Sequence, residues 1–369
     1  MSEPQKVGLI EKTFAVAFGL IVAVIALEVI ASRTVSRPST DVSLVGEYSS
    51  NPRGYFDERR SIDGKTVYGI PMNTAVGLGG RTGELDANRP PEWILGLGDS
   101  HGQGQGVRFD DTFYEKVGEV LQGSGYPVSV RNVSVSGYQL EDITARYVYE
   151  TAGGRRYPVV VYTLVLDDFN LEPTDNAGEN FKRRLAEHDQ DPWRTRSALW
   201  NAYRVYEEKK EVSDATAGAY LSDFKANFKS ERFREKADLL QRLAERVEAD
   251  GGQFLLAVMP LFYQLQDYPF LEVHQILEAM ATERNIEMLD LYPVLKHRKA
   301  RDLWVHETDH HPNDLGHALV GQAIGERLIA NGMAKIAVGG PPLKDDVNEG
   351  DDELNGLHAG ENQPDDGQD

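Results

Sequence analysis

Residues 159–166 read VVVYTLVL, eight positions without a charge, four of them valine. A β-branched run this apolar has no polar face to offer water, which predicts a strand covered on both sides within a parallel sheet. Parallel neighbours have to be joined by crossover helices, and the rest of the chain alternates accordingly. Strands are predicted at WILGLGD (93–99), VSVRNVSV (128–135) and FLLAVMPL (254–261), and IEMLDLYPVL (286–295) is predicted as a short strand with its exit. Helical spacing of apolar residues marks 110–125, 140–152, 233–250, 270–285 and 314–332, several of them closed by glycine. The expected fold is a three-layer α/β/α sandwich around about five parallel strands in the flavodoxin-like manner.

Two segments break the rhythm. Residues 170–227 are polar, carry Trp193, Trp200 and several Tyr, and are expected to form an inserted helical cap whose rings pack its interior. Residues 51–92, punctuated by Gly and Pro, are expected to form short strands and turns. On this reading 51–342 is one domain, with a linker at 32–50 before it. The acidic tail 343–369 is too poor in apolar residues to fold.

The run TFAVAFGLIVAVIAL (13–27) is uncharged and continues past Glu28 through Val29, Ile30 and Ala31, a length that crosses a bilayer as a helix. Residues 1–31 are therefore expected to be an N-terminal transmembrane anchor. A signal peptide cleaved after Val29-Ile30-Ala31 is the alternative. Lys6 and Lys12 precede the run and Arg33 and Arg37 follow it, so the positive-inside rule sets no orientation.

A formal charge of -20 repels phosphate backbones and argues against a general nucleic-acid binder. Much of it sits beyond Lys344, where ten Asp or Glu face that one Lys. The absence of cysteine excludes disulfides, thiolate catalysis and Cys-ligated zinc. Asp309, His310, His311 and Asp314 crowd together, but no H-E-x-x-H helix accompanies them, and no metal is expected. Gly102, Gly104 and Gly106 match neither a Walker loop nor a dinucleotide fingerprint, so no cofactor is expected either.

In open α/β sheets ligands bind beyond the carboxyl ends of the strands, so the segments after each strand belong together. They are GDSHGQGQGV (98–107), NVSVSGY (132–138), Asp167-Asp168-Phe169-Asn170, and DHHPN (309–313) with Gly316-His317 just beyond. This ordered set resembles the SGNH, or GDSL-type, hydrolases, and YGIPMNTAVGLGG (68–80) is similar to a segment of their membrane-anchored bacterial members. The resemblance spans roughly residues 66 to 330 and implies an SGNH-hydrolase fold with a serine esterase activity.

The chemistry of the residues agrees with that implication. A serine hydroxyl is a poor nucleophile unless a base takes its proton during attack. Ser100 stands on a strand-to-helix turn, His311 is the candidate base, and Asp309, two residues earlier, would orient it. His310, three residues after Glu307, is the rival base. Asp99 is expected to tie the nucleophile turn through backbone N–H groups. The resemblance implies an oxyanion hole from the N–H groups of Ser100 and Gly137 and an Asn side chain. The residue aligned with that Asn is Asp167, and an ionised carboxylate cannot donate a hydrogen bond. Protonation of Asp167 by burial, or a substitute donor such as Asn170, would restore the hole.

The expected activity is hydrolysis of an ester through an acyl-serine, on carbohydrate O-acetyl or lipid esters of a bacterial envelope. The domain would face the periplasm or exterior from the inner membrane, with no protein partner identified. The alternatives are an O-acetyltransferase of an envelope or exopolysaccharide pathway, and a catalytically weakened binding protein on the same fold.

Overall fold

Five parallel strands form the central sheet in the spatial order β4-β3-β5-β6-β7, formed by Glu92–Leu97 (β3), Ser129–Asn132 (β4), Val159–Val165 (β5), Gln253–Met259 (β6) and Glu287–Asp290 (β7). The computed structural model describes residues 8–34, 66–67, 70–71, 89–169, 191–193, 196–204, 206–207, 224–306 and 309–340. The linker beyond residue 34, most of 68–80, Asn170, Glu307 and the tail 343–369 lie outside them. Within 51–92, the short strands Thr66–Val67 (β1) and Ile70–Pro71 (β2) pair antiparallel.

Burial follows position in the sheet. Every residue of β5 is buried, as its charge-free sequence demands, and β5 pairs with β6 in register from Val159↔Gln253 to Val165↔Met259. The edge strand β7 is only half-buried. Each Val or Leu withdrawn from water here contributes about 1.5–3 kcal/mol against the entropy of ordering the chain.

The helices that cover the sheet are the predicted ones, each with a physical start. Helix Phe113–Gly123 (α3) begins where the buried His317 ring accepts the Phe113 N–H at 3.0 Å. Helix Leu140–Thr151 (α4) opens on a Gln139/Asp142 capping box. Ser230 caps Glu231–Ala249 (α5), whose Phe233, Ala237, Leu240, Ala244 and Val247 form one buried stripe. Leu271–Glu283 (α6) covers β7, and Asn313 caps Asp314–Ala330 (α7) by accepting from Gly316 N–H at 3.1 Å.

The chain moves from β3 out to β4 and then back past β3 to β5, so right-handed crossovers place α3 and α4 on opposite faces. Accordingly α3 packs on α7, and α4 packs on α5. The first of these seams is unusually close. A Cβ at Gly321 would lie 2.5 Å from the Lys116 Cβ and 2.6 Å from the Phe113 carbonyl oxygen.

Two expectations need correcting. The four rings Trp193, Trp200, Tyr203 and Tyr206 do not pack an interior; all are exposed. The segment expected as a loop around His311 is a β-hairpin of Trp304–His306 (β8) and Asp309–Pro312 (β9).

At the N-terminus, Leu9–Thr34 is a single helix (α1), and its stretch Glu11–Arg33 is the one span among the described residues long and apolar enough to cross a bilayer. Of the described side chains in that stretch, all but Glu28 and Ala31 are exposed.

Candidate active site

β3 has β4 on one side and β5 on the other, so its carboxyl end is the point where strand order reverses and a crevice opens. Ser100 sits at that point, as the first residue of the short helix Ser100–Gln103 (α2). Asp99 caps the turn, its Oδ1 accepting the His101 N–H at 2.9 Å. The loop after β4 closes on the turn from the side. Asn132 Nδ2 donates to the Gly102 carbonyl at 2.8 Å, and Val135 N–H donates to the Gly98 carbonyl at 3.2 Å. Glycine at 102 is what permits this, because a Cβ there would come within 2.3 Å of Ser134 Oγ.

The same loop carries Gly137 in the left-handed region at φ 80°, with open space where a side chain would stand. Among the described residues, neither the Ser100 N–H nor the Gly137 N–H is taken up by an acceptor.

The β8–β9 hairpin approaches from the other side. It is braced by Asn313 Nδ2, which donates to the Asp302 and Trp304 carbonyls, and by Trp304 Nε1, which donates to the Phe262 carbonyl at 2.6 Å. Asp309 and His311 are alternate residues of β9 and so share one of its faces. His311 Nδ1 lies 2.5 Å from Asp309 Oδ1, which also accepts the His311 N–H at 3.1 Å. With its proton on Nδ1, the ring presents a bare Nε2 to Ser100 Oγ, 2.7 Å away. Gln105 Nε2 donates to the other Asp309 oxygen at 3.4 Å. His310 does not reach Ser100; it stacks on Trp304, with centroids 4.1 Å apart.

A second histidine belongs to the same cluster. His101 Nδ1 is 3.2 Å from Asp99 Oδ2, an oxygen that also lies 3.3 Å from Ser100 Oγ. Burial opposes a charge on His101, but Asp99 outweighs it, with Asp167 and Asp309 adding, and the ring holds its proton above the ordinary histidine range. Burial likewise pushes Asp99 up, yet His101 and His311 together bring its carboxyl below the usual range. The sequence signal for His101 is the Asp-x-His spacing inside GDSH, which places a carboxylate and an imidazole on either side of the serine.

Asp167 and Asp168 form a turn of Leu166–Phe169 beyond β5 and differ sharply. Asp168 is buried, and its Oδ2 accepts from the Tyr162 hydroxyl and the Val165 N–H, both at 3.0 Å. Burial, then Asp99 and Asp167, hold the Asp168 carboxyl well above the carboxylate range. Asp167 is exposed, which removes burial as a reason for it to stay protonated. In the Gly316-His317 pair, Gly316 gives close approach to Pro312 and His317 caps α3; both are structural.

No protein-family model matches the chain, and no curated protein matches it. Among solved structures it is similar to a member of the lipolytic protein G-D-S-L family from Veillonella parvula, at 17% identity and TM-score 0.36, covering 63% of this chain and 96% of that one. It is also similar to a lipase/acylhydrolase from Enterococcus faecalis, at 14% identity and TM-score 0.39, covering 64% and 96%. A third likeness is to an acetyl-xylooligosaccharide esterase from a Geobacillus, at 15% identity and TM-score 0.38, covering 65% and 96%.

Proposed function

We propose that this protein is a serine esterase of the SGNH type that hydrolyses esters through an acyl-serine. The observation that carries the reading is the continuous chain Ser100 Oγ–His311 Nε2 at 2.7 Å and His311 Nδ1–Asp309 Oδ1 at 2.5 Å. Ser100 attacks the ester carbonyl while His311 takes its proton, and Asp309 holds the tautomer and stabilises the imidazolium. The N–H groups of Ser100 and Gly137 receive the developing oxyanion. His311 then protonates the leaving alcohol, and the same base activates water to release the acid.

The long apolar α1 supports an N-terminal membrane anchor, which would place the domain at an envelope surface and make carbohydrate O-acetyl or lipid esters its substrates. One observation favours a second reading. Asp167, which the resemblance aligns with the family's oxyanion Asn, is exposed; a carboxylate there would weaken hydrolysis and leave room for an O-acetyltransferase or a binding role.

The deciding experiment is labelling of the full chain by a fluorophosphonate. Labelling of the native protein that disappears in both Ser100→Ala and His311→Ala is the expected result. A folded native protein that does not label would overturn the esterase reading.

A further inference from the structure

Glu28 is the sole acidic residue between Thr13 and Arg33, and it is not left bare in that apolar stretch. Its carboxylate accepts three hydrogen bonds from the insert between β5 and α5: Ser197 Oγ at 2.8 Å, Ala198 N–H at 2.5 Å and Leu199 N–H at 3.1 Å. These donors open the helical stretch 198–204. Ala31, one turn beyond Glu28 on the same face of α1, is buried, and so is Asn201 of the insert. The stretch of the insert that begins at Ser197 is therefore docked on α1.

The same piece carries Trp193, Trp200, Tyr203 and Tyr206, all exposed. Outside α1 they are the only exposed large aromatic rings among the described residues. Arg196 and Arg204 lie among them. Soluble surfaces rarely collect rings this way, whereas Trp and Tyr concentrate where a membrane protein meets the headgroup layer.

Depth agrees with this. From Lys12 to Arg33 the helix rises about 30 Å, close to the thickness of the hydrocarbon core. Glu28 falls about 7 Å short of Arg33, so donors that reach it enter the outer edge of the hydrocarbon core, just beneath the headgroup layer where Trp and Tyr concentrate.

We propose that the insert helix 198–204 and its flanking rings are a membrane-interface element, held to the spanning helix by Glu28 and seated among lipid headgroups. This rests on the reading of α1 as a bilayer-spanning anchor. It has a consequence for the site. The insert leaves the sheet after β5 and returns at the start of α5, both at the carboxyl edge that bears Ser100. Seating the insert in the bilayer rim ties that edge to the membrane side and fits ester substrates presented at a lipid surface.

The native chain has no cysteine, so single cysteines can be introduced and labelled with an environment-sensitive fluorophore. Tyr203→Cys and Tyr206→Cys, beside Glu283→Cys as an exposed control on α6, are placed in the full chain and reconstituted in phosphatidylcholine/phosphatidylglycerol vesicles. Lipids carrying a nitroxide near the headgroup should quench labels at 203 and 206 several-fold more than at 283, with aqueous iodide giving the reverse order. Adding Glu28→Ala should bring lipid quenching at 203 down to the control level while the protein still floats with the vesicles. If the protein floats but labels at 203 and 206 respond to iodide like the control, the interface element is overturned and the anchor stands. Unchanged lipid quenching in the Glu28→Ala background overturns the tie through Glu28. A chain that does not float overturns the anchor and the inference with it.

Discussion

The rings of His101 and His311 lie 4.7 Å apart, centroid to centroid, each against its own carboxylate. Ser100 Oγ stands between the two pairs, 2.7 Å from His311 Nε2 and 3.3 Å from Asp99 Oδ2. One hydroxyl proton cannot serve both. His101, donating from Nδ1, occupies Asp99 Oδ2 and leaves the serine proton to His311. In His101→Ala that oxygen is released, and the hydroxyl divides its time between base and bystander. Exchange of one hydrogen bond, about 1 kcal/mol, predicts a fluorophosphonate labelling rate reduced about five- to tenfold. An unchanged second-order rate constant would remove His101 from the account.

The same pair shapes stability against pH. His101 has a raised pKa in the fold, so its contribution is complete below the unfolded value of about 6.5 and is lost as pH rises through the folded one. Asp99 is lowered, so its contribution is present above the unfolded value of about 3.9 and is lost as pH falls through the folded one. Thermal unfolding should show the highest Tm between these limits. His101→Ala should flatten the alkaline decline, and an equally steep decline in that variant would refute the assignment.

Asp168 works in the opposite direction to Asp99. Burial raises its carboxyl well above the unfolded value of about 3.9, so the fold loses stability as pH rises from there toward the folded value. Asp168→Asn keeps an oxygen for the Tyr162 hydroxyl and the Val165 N–H but has no proton to hold. Its Tm should exceed that of the native protein by a few degrees at pH 7 to 8, and the gain should vanish near pH 4. A gain independent of pH would show that Asp168 is ionised in the fold.

Asp167→Asn replaces an exposed acceptor with a donor at the position that the family resemblance aligns with the third oxyanion donor. One such donor is worth about 100- to 1000-fold where it is well aimed. A rise of at least tenfold in the hydrolysis of a p-nitrophenyl ester is expected, with the same labelling residue. A fall would mean that the carboxylate itself serves the site, by supporting the charge on His101.

The α3–α7 seam offers a test remote from chemistry. In Gly321→Ala the new methyl meets the Lys116 Cβ and the Phe113 carbonyl, and the helices have to separate. Overpacking of this kind costs about 1–3 kcal/mol, to be read from the denaturant midpoint. An unchanged midpoint would mean that the seam is looser than these distances state.

Much of the sheet was legible because each strand carries its burial in its composition. Residues 159–166 could be nothing but a central strand, and β5 ends within one residue of that run. The segment 286–295 divides as its sequence implies, into the short strand Glu287–Asp290 and an exit turn at Tyr292–Leu295 with Pro293 near its start. Asp-His-His-Pro carries no strand pattern, so nothing local announces β9; it pairs with β8, Trp304 lying opposite Pro312 and His306 opposite Asp309. The rings around residue 200 were assigned to an interior because aromatic side chains mostly serve cores. Their exposure follows from a hydrogen-bonded dock on a helix 169 residues away in sequence, which no local pattern carries.

Because Asp309 and His311 ride on one strand of a braced hairpin, the proposed three-residue relay has two moving parts rather than three. Imidazole and carboxylate travel together, and Ser100 belongs to a different body. A slide of about 1 Å between hairpin and turn would silence the serine while leaving the histidine–aspartate bond whole. A protein caught in that state would keep the far-downfield proton of its histidine in a magnetic resonance spectrum and yet refuse the phosphonate. Inactivity and a broken relay would then be separate observations, distinguishable in a single sample.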